Sequence, residues 1–414
     1  MALHVVNEAK RCLNCKKPMC RTGCPINTPI PQMIQAFLAG NINEAGEMLF
    51  ENNPLSLVCS LICNHENQCE GHCVLNAKGH PVHISSIENY ISDNYFDKLN
   101  LHPGEKKGMK AGIIGSGPAG LTIAIILARR GYDITIFESK DKIGGVLRYG
   151  IPEFRLPKTI LDRYKKELLA LGIKIRYNTS IGTVIGIDEM FRDGYKALFI
   201  GTGVWKPNKL NIEGETLGNV HYAINYLTNP DEYNLGENVI VIGTGNSAMD
   251  VARTALRKGA RNVTVYSRRE STSASSREVE YAQIDGVQFK YNKSPVRIVD
   301  EGVVFRATTV DETGRVVEVP GSEKLYPADS TIIAISQGPR NRIVSTTQGI
   351  DVNEKGLVIT DETGSTTRRG IFASGDVVKG AKTVVEAVRY SKMVADAMDE
   401  YMSGLKEEVT VDKE

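Results

Sequence analysis

The residues whose types and spacing could do chemistry begin with eight cysteines, all within one short stretch. They run Cys12-x2-Cys15-x4-Cys20-x3-Cys24-Pro25, then Cys59-x3-Cys63-x5-Cys69-x3-Cys73, and the rest of the 414 residues holds none. Thiols gathered in one segment of a long chain point to metal or redox chemistry rather than to a disulfide framework. Thiolates a few residues apart on loops can wrap a 4Fe–4S cube, which takes four ligands, so eight suffice for two cubes. A Cys-Pro closing the first run is also the pattern in which the last thiolate serves the other cluster. Spacing alone leaves two four-cysteine zinc sites and unligated thiols open.

Two glycine turns carry the second chemistry. Gly115-Ser116-Gly117-Pro118-Ala119-Gly120 follows the apolar run AGII and opens the apolar stretch LTIAIILARRG. The first glycine permits the tight turn, the second lets backbone approach a pyrophosphate, and the third lets helix and strand pack closely. The helix start then presents its partial positive charge to the phosphates. Glu138 ends the next strand, DITIFE, where a carboxylate accepts from both ribose hydroxyls. The second turn, Gly243-Thr244-Gly245-Asn246-Ser247-Ala248, follows NVIVI, and Ala fits the third position. Its next strand ends at Tyr266-Ser267-Arg268-Arg269, with no carboxylate at the ribose position. Arginines there suit a 2′-phosphate, so NADP(H) is expected. Arg277 is expected as a third phosphate contact, and Glu270, next to Arg269, keeps NAD(H) possible.

One tightly held flavin and one exchanging nicotinamide would occupy two such sites, so FAD and NADP(H) carry the hydride chemistry and no catalytic side chain is expected. Ser374-Gly375-Asp376 after GIFA, with Thr383 at a helix start, supports the flavin. Asp376 can hold a ribityl hydroxyl, and a helix N-terminus aimed at the isoalloxazine stabilises its reduced anion. No CxxC follows Cys73, so a reduced flavin has no nearby disulfide to reduce. One-electron clusters are then the available carriers, which favours iron–sulfur over zinc.

The elements that position these residues separate by texture. Helical stretches are expected at Ile30–Ala39 and Ile42–Glu51 among the cysteines, then a polar link at Leu101–Lys110. From Ala111 the pattern is strand, glycine turn, helix, strand, and it recurs at Asn238, which implies parallel sheets. Further strands are expected at Ala197–Ile200, Val303–Ala307 and Thr331–Ile335. A last helix is expected from Thr383 to about Met402, with the charged final dozen residues frayed.

Bulk properties exclude much. Hydrophobic residues are 41% and charged residues 24% of the chain, and the formal net charge is +1. That balance gives no drive toward nucleic acid or an anionic membrane. No apolar run approaches the roughly 20 residues a bilayer needs, and Met1–Lys10 lacks a signal-peptide apolar core. A cytoplasmic protein is expected. The seven histidines include no HExxH pattern.

The segments RCLNCKKPMCRTGCP, ENNPLSLVCSLICNHENQCEGHC, GIIGSGPAGL, GGVLRYGIPEFRLPK, GTGNSAMDVARTALRKGA and SGDVVKGAKTVVEAV occur in this order from about residue 7 to residue 403. Together they resemble the glutamate synthase small-subunit family. That family also takes in the nicotinamide-binding part of dihydropyrimidine dehydrogenase and the large subunit of ferredoxin–NADP transhydrogenase. The resemblance implies an α/β chain with a helical iron–sulfur domain over residues 1–105. Two Rossmann-like domains follow: a discontinuous FAD domain at 106–228 and 339–414, and an inserted NAD(P)H domain at 229–338.

Matched motif by motif, Cys12, Cys15, Cys20 and Cys73 hold one 4Fe–4S cluster. Cys24, Cys63, Cys69 and Glu88 hold the other, and Cys59 is a buried spectator. The resemblance also sets Gly145 and Arg155 against the flavin, makes Thr202 and Gly203 a second FAD contact, and lines the nicotinamide turn with Asn246 and Ser247. It implies electron flow from NADPH through FAD and the clusters to a partner catalytic subunit or ferredoxin within a hetero-oligomer. A glutamate synthase small subunit is favoured. A dihydropyrimidine dehydrogenase subunit, a transhydrogenase or bifurcating subunit, and a free-standing NAD(P)H:ferredoxin reductase are the alternatives. Two departures stand out: Cys12 comes sooner than the family's longer N-terminal extension would place it, and Trp205 stands where small residues are usual.

Overall fold

The computed structural model describes residues 2–411. The chain divides into two compact units. Unit 1 comprises Met1–Arg148, Glu153–Val204 and Pro339–Glu414, and unit 2 comprises Tyr149–Pro152 and Trp205–Gly338.

Unit 1 opens with six helices: α1 (Ala2–Ala9), α2 (Met19–Gly23), α3 (Ile30–Leu38), α4 (Ile42–Asn52), α5 (Ser56–Ile62) and α6 (Ile84–Phe96). In α3 the buried Ile30, Met33, Ile34 and Phe37 recur at helical spacing, so one face turns inward. They pack with Val5, Leu49, Ile84, Ile87 and Ile91 into a small core. Seven of the eight cysteines fall on loops and helix ends around that core, and Cys59 lies midway along α5.

The rest of unit 1 is built on a parallel sheet. Its strands are β1 (Lys110–Ile114), β2 (Asp133–Phe137), β3 (Lys174–Arg176), β4 (Tyr195–Ile200) and β14 (Ile371–Ala373), in the order β14-β4-β1-β2-β3. α7 (Pro118–Arg129) makes the first crossover, and its residues Ile123, Ala124 and Leu127 are wholly buried. α8 (Lys158–Ala170) follows, and α11 (Val384–Val411) closes the unit against α7. Arg130 pairs with Asp396 and Asp399, and Lys107 and the Tyr132 hydroxyl both bond to Asp399. α11 runs to Val411, past the expected end near Met402, because Leu405, Lys406, Glu407 and Glu408 are good helix formers.

Unit 2 holds β5 (Val220–Tyr222), β6 (Asn238–Ile242), β7 (Asn262–Tyr266), β8 (Gln288–Lys290) and β13 (Ser330–Ile333), in parallel order β5-β13-β6-β7-β8. α9 (Asn246–Arg257) and α10 (Ser276–Ile284) belong to it. An antiparallel layer of β9 (Lys293–Val299), β10 (Gly302–Val310), β11 (Val316–Glu318) and β12 (Lys324–Pro327) is inserted before β13. Tyr266 stacks on Phe305 at 4.2 Å between the two sheets. The resemblance opens the inserted domain at residue 229, whereas unit 2 takes in the chain from Trp205. The earlier stretch supplies β5, the edge strand that pairs with β13.

Candidate functional site

The cysteines sort into two groups. Cys12, Cys15, Cys20 and Cys73 line one cavity, floored by Ile30, Ile34 and Ile84. Burial raises the Cys12 thiol, and it pushes Cys20 up to about 11. A thiolate at such a position needs a strong positive charge beside it, which a metal centre supplies as it displaces the proton.

In the second group Cys24, Cys63 and Cys69 share an electrostatic neighbourhood with Glu88. Glu88 projects from α6, is 9% exposed, and burial with the nearby Glu70 carboxylate pushes it up to about 8. A carboxylate buried among three thiols is a donor set that fits a cluster. Cys63 is raised first by its hydrogen bond with Cys59, then by burial. Cys59 thus lies beside a ligand candidate and is itself 2% exposed. Among the described residues no three such groups gather closely enough for a single metal ion; the thiols of the first group stand around a cavity instead.

The second group lies toward α8. Buried Tyr164 of α8 donates to the Pro54 carbonyl at 2.9 Å and interacts electrostatically with Cys59. Lys392 of α11 donates to the Asn52 carbonyl at 2.6 Å.

At the C-terminal edge of the unit 1 sheet, segments far apart in sequence converge. A Cβ on Gly120 would sit 2.0 Å from the Gly115 carbonyl oxygen, so only glycine permits this approach of helix to turn. A Cβ on Gly115 would lie 2.6 Å from the Gly201 carbonyl oxygen, one on Gly145 2.8 Å from the Gly117 Cα, and one on Gly375 3.1 Å from the Ala119 Cβ. This gathers the turn, Gly145, the Thr202–Gly203 segment and the Gly375–Asp376 segment at one place. A Cβ on Gly117 would meet nothing within 4 Å, which leaves room for a pyrophosphate above Pro118 at the start of α7. Buried Glu138 accepts from the Ser116 amide and hydroxyl and from the Lys140 amide. Asp376 is pushed up to about 6 by burial. Thr383 and Glu386 bond reciprocally and cap α11. Arg155 lies within unit 1. These residues fit an FAD.

In unit 2, Gly243 has φ 126° and a Cβ there would lie 2.3 Å from the Ala334 carbonyl oxygen. Gly245 stays open except for the Ser273 hydroxyl. Asn246 accepts from the Ser275 amide at 2.9 Å, and the Thr244 carbonyl accepts from Ser273 and Ala274. The 273–275 loop is thereby tied to the turn. Asn246 opens α9 with Ser247 next in its first turn, and Ala248 is fully buried beneath them. Arg268 and Arg269 leave β7 exposed, and Arg277 is half-buried on α10.

Two contributors escape the motif reading. Ser116, an unspecified position of the fingerprint, ties the turn to Glu138. Glu70, 1% exposed, accepts from the Ser85 amide and hydroxyl and so anchors the start of α6 beneath Glu88. The only signal for Glu70 was its place beside Cys69.

Residues 109–391 match the pyridine nucleotide-disulphide oxidoreductase family, and residues 2–99 match dihydropyrimidine dehydrogenase domain II, 4Fe-4S cluster. The chain belongs to the pyridine nucleotide-disulphide oxidoreductase family. It is 36% identical to the NADPH glutamate synthase small chain of Halomonas elongata over 95% of this chain and 90% of that one. For the Escherichia coli small chain the values are 33%, 94% and 90%. For the NAD-dependent dihydropyrimidine dehydrogenase subunit PreT of Salmonella typhimurium they are 31%, 97% and 95%.

Among solved structures, Mycobacterium tuberculosis FprA in complex with NADPH shares the fold with a TM-score of 0.60 and 18% identity, over 73% of this chain and 86% of that one. Lactococcus lactis thioredoxin reductase does so with a TM-score of 0.55 and 25% identity, over 72% and 99%. This family member is an NAD(P)H-dependent flavoprotein oxidoreductase with a 4Fe–4S domain, so the zinc alternative falls. Among the described residues no helix is long and apolar enough to cross a membrane.

Proposed function

We propose that this chain is a cytoplasmic electron-input subunit that draws on NADPH and serves a partner catalytic subunit of the glutamate synthase type. The observation that carries this reading is the sorting of the thiols: one group with Glu88 lies toward α8, and the other lines a cavity within the helical domain. Such an order suits electrons entering on the flavin side and leaving through the helical domain. When bound, FAD and two 4Fe–4S clusters convert hydride transfer into single-electron transfer.

The chain's own residues bind and orient. In unit 1, Gly117, Pro118 and Glu138 hold the FAD pyrophosphate and ribose, with Gly145, Arg155, Thr202, Gly203, Asp376 and Thr383 around the rest. In unit 2, the turn Gly243–Ala248 receives the nicotinamide dinucleotide, and Arg268, Arg269 and Arg277 select its 2′-phosphate. Cys12, Cys15, Cys20 and Cys73 hold one cluster, and Cys24, Cys63, Cys69 and Glu88 the other.

NADPH is expected to be favoured over NADH at least tenfold in kcat/KM. Arg268→Ala should remove on the order of 1–3 kcal/mol of that preference, the scale of a charged hydrogen bond. Equal use of both nucleotides by the unmutated protein overturns the assignment. Purified anaerobically from its host, the protein should co-elute with a larger subunit whose own active site names the reaction. Elution alone, with flavin and iron intact, points instead to a free-standing reductase.

A further inference from the structure

We propose that the surface around Cys12, Cys15, Cys20 and Cys73 is a docking face for an electron-accepting protein that presents an acidic rim around an apolar contact. The proposal rests on the function proposed above and names the surface that function requires.

Three large apolar side chains at this cavity face outward. Leu13, Met19 and Val74 are 62%, 47% and 43% exposed, and all three line the cavity that holds the four thiols. Each is the chain neighbour of one of those thiols: Leu13 follows Cys12, Met19 precedes Cys20, and Val74 follows Cys73. Side chains serving only to shield a cluster from water would turn inward, as Ile30, Ile34 and Ile84 do at 2%, 0% and 2% exposure. Outward apolar groups directly over a redox site form the centre of an interface, where contact with a partner removes them from water.

The two stretches that form the cavity themselves carry charges of one sign. No carboxylate occurs between Glu8 and Glu44, or between Glu70 and Glu88, the two stretches that form the cavity. Lys10, Lys16, Lys17 and Lys78 in or beside those stretches are exposed. Arg11 is held by Glu8 and does not contribute freely. In a chain whose net charge is only +1, this is a local segregation of cations. An acidic partner is steered to such a face, and a basic one is repelled.

The test is binding of an acidic plant-type 2Fe–2S ferredoxin to the oxidised holoenzyme, measured by calorimetry at low and high salt. Lys17→Glu/Lys78→Glu should weaken the Kd about tenfold or more and flatten its salt dependence. Lys17→Arg/Lys78→Arg should bind as the unmutated protein does. Flavin and iron content of both variants should match the unmutated protein, which separates docking from folding. An unchanged Kd and salt dependence in the Glu variant overturns the proposal. So does an unmutated enzyme that binds basic cytochrome c as tightly as the ferredoxin. Bleaching of the flavin by NADPH reports on the underlying function independently: its failure removes the electron-input reading, whereas intact bleaching without ferredoxin binding removes only the docking face.

Discussion

Burial raises the Asp376 carboxyl to about 6, with Glu386 adding to the effect and the Lys382 amide opposing it. A free aspartate titrates near 3.9. Because the folded pKa is the higher one, the folded chain holds the proton more tightly between these values, and the flavin-free protein loses stability as pH rises from about 4 to about 6. The charged form therefore costs on the order of 2–3 kcal/mol above pH 6. Asp376→Asn should raise the Tm of the flavin-free protein at pH 7.5, with the gain vanishing below about pH 4, and should also weaken FAD binding by removing an anionic acceptor. Melting with and without FAD across that range checks both, and an unchanged flavin-free Tm at pH 7.5 overturns the buried-charge account. Glu88→Ala should abolish the EPR signal of one reduced cluster, whereas Cys59→Ser should preserve both signals. The reverse result would make Cys59 the ligand.

At the level of elements, α11 is fastened to the end of the first Rossmann crossover by Asp396 and Asp399, and Asp399 makes most of the bonds. Asp399 accepts from Lys107, Arg130 and the Tyr132 hydroxyl. Its carboxyl is held below the usual range by Lys107 and Tyr132, with burial opposing them. A lowered folded pKa means the stabilisation is complete above about pH 4 and fades as pH falls through the folded value. Asp399→Asn should cost about 1–2 kcal/mol at neutral pH, the scale of charge-assisted hydrogen bonds. The difference from the unmutated protein should shrink in acid, and chemical denaturation at pH 7 and pH 3 measures it. The effect matters for function because α11 starts at Val384, directly after its cap Thr383 and close in sequence to Asp376, so loosening it should also speed flavin release.

For the whole molecule, the order of the redox groups makes a prediction that no single site can. The first cysteine group lies in residues 2–99, outside the 109–391 region of the oxidoreductase family. Cys12→Ser/Cys73→Ser should therefore reduce iron from about eight to about four per chain. NADPH-driven reduction of menadione, a small neutral acceptor, should survive, because it needs only the flavin and nicotinamide sites. Reduction of a protein acceptor should fall more than tenfold. Equal loss of both activities would mean that the units do not work in series.

Much of this was legible in the residues alone. The glycine turns, Glu138 and the arginines after β7 follow from local rules, because a strand, a tight turn and a helix start are specified within some thirty residues. The helices at Ile30 and Ile42 were equally local, since apolar spacing reports the buried face. The cysteine count fixed the chemistry to metal or redox work, and the lack of a later CxxC separated this chain from disulfide reductases. Spacing could not say which thiol joins which group, because Cys73 meets Cys12 through the packing of α1, α3 and α6 rather than through chain proximity. Nor could it show Glu70 anchoring α6, or the close approach of Gly375 to Ala119 and of Gly145 to Gly117. Those contacts join residues up to some 250 positions apart, and they exist only once buried apolar faces have chosen their partners. Residue type sets what chemistry is available; tertiary packing decides which groups share a site, because burial and proximity, not sequence order, set their charge and their neighbours.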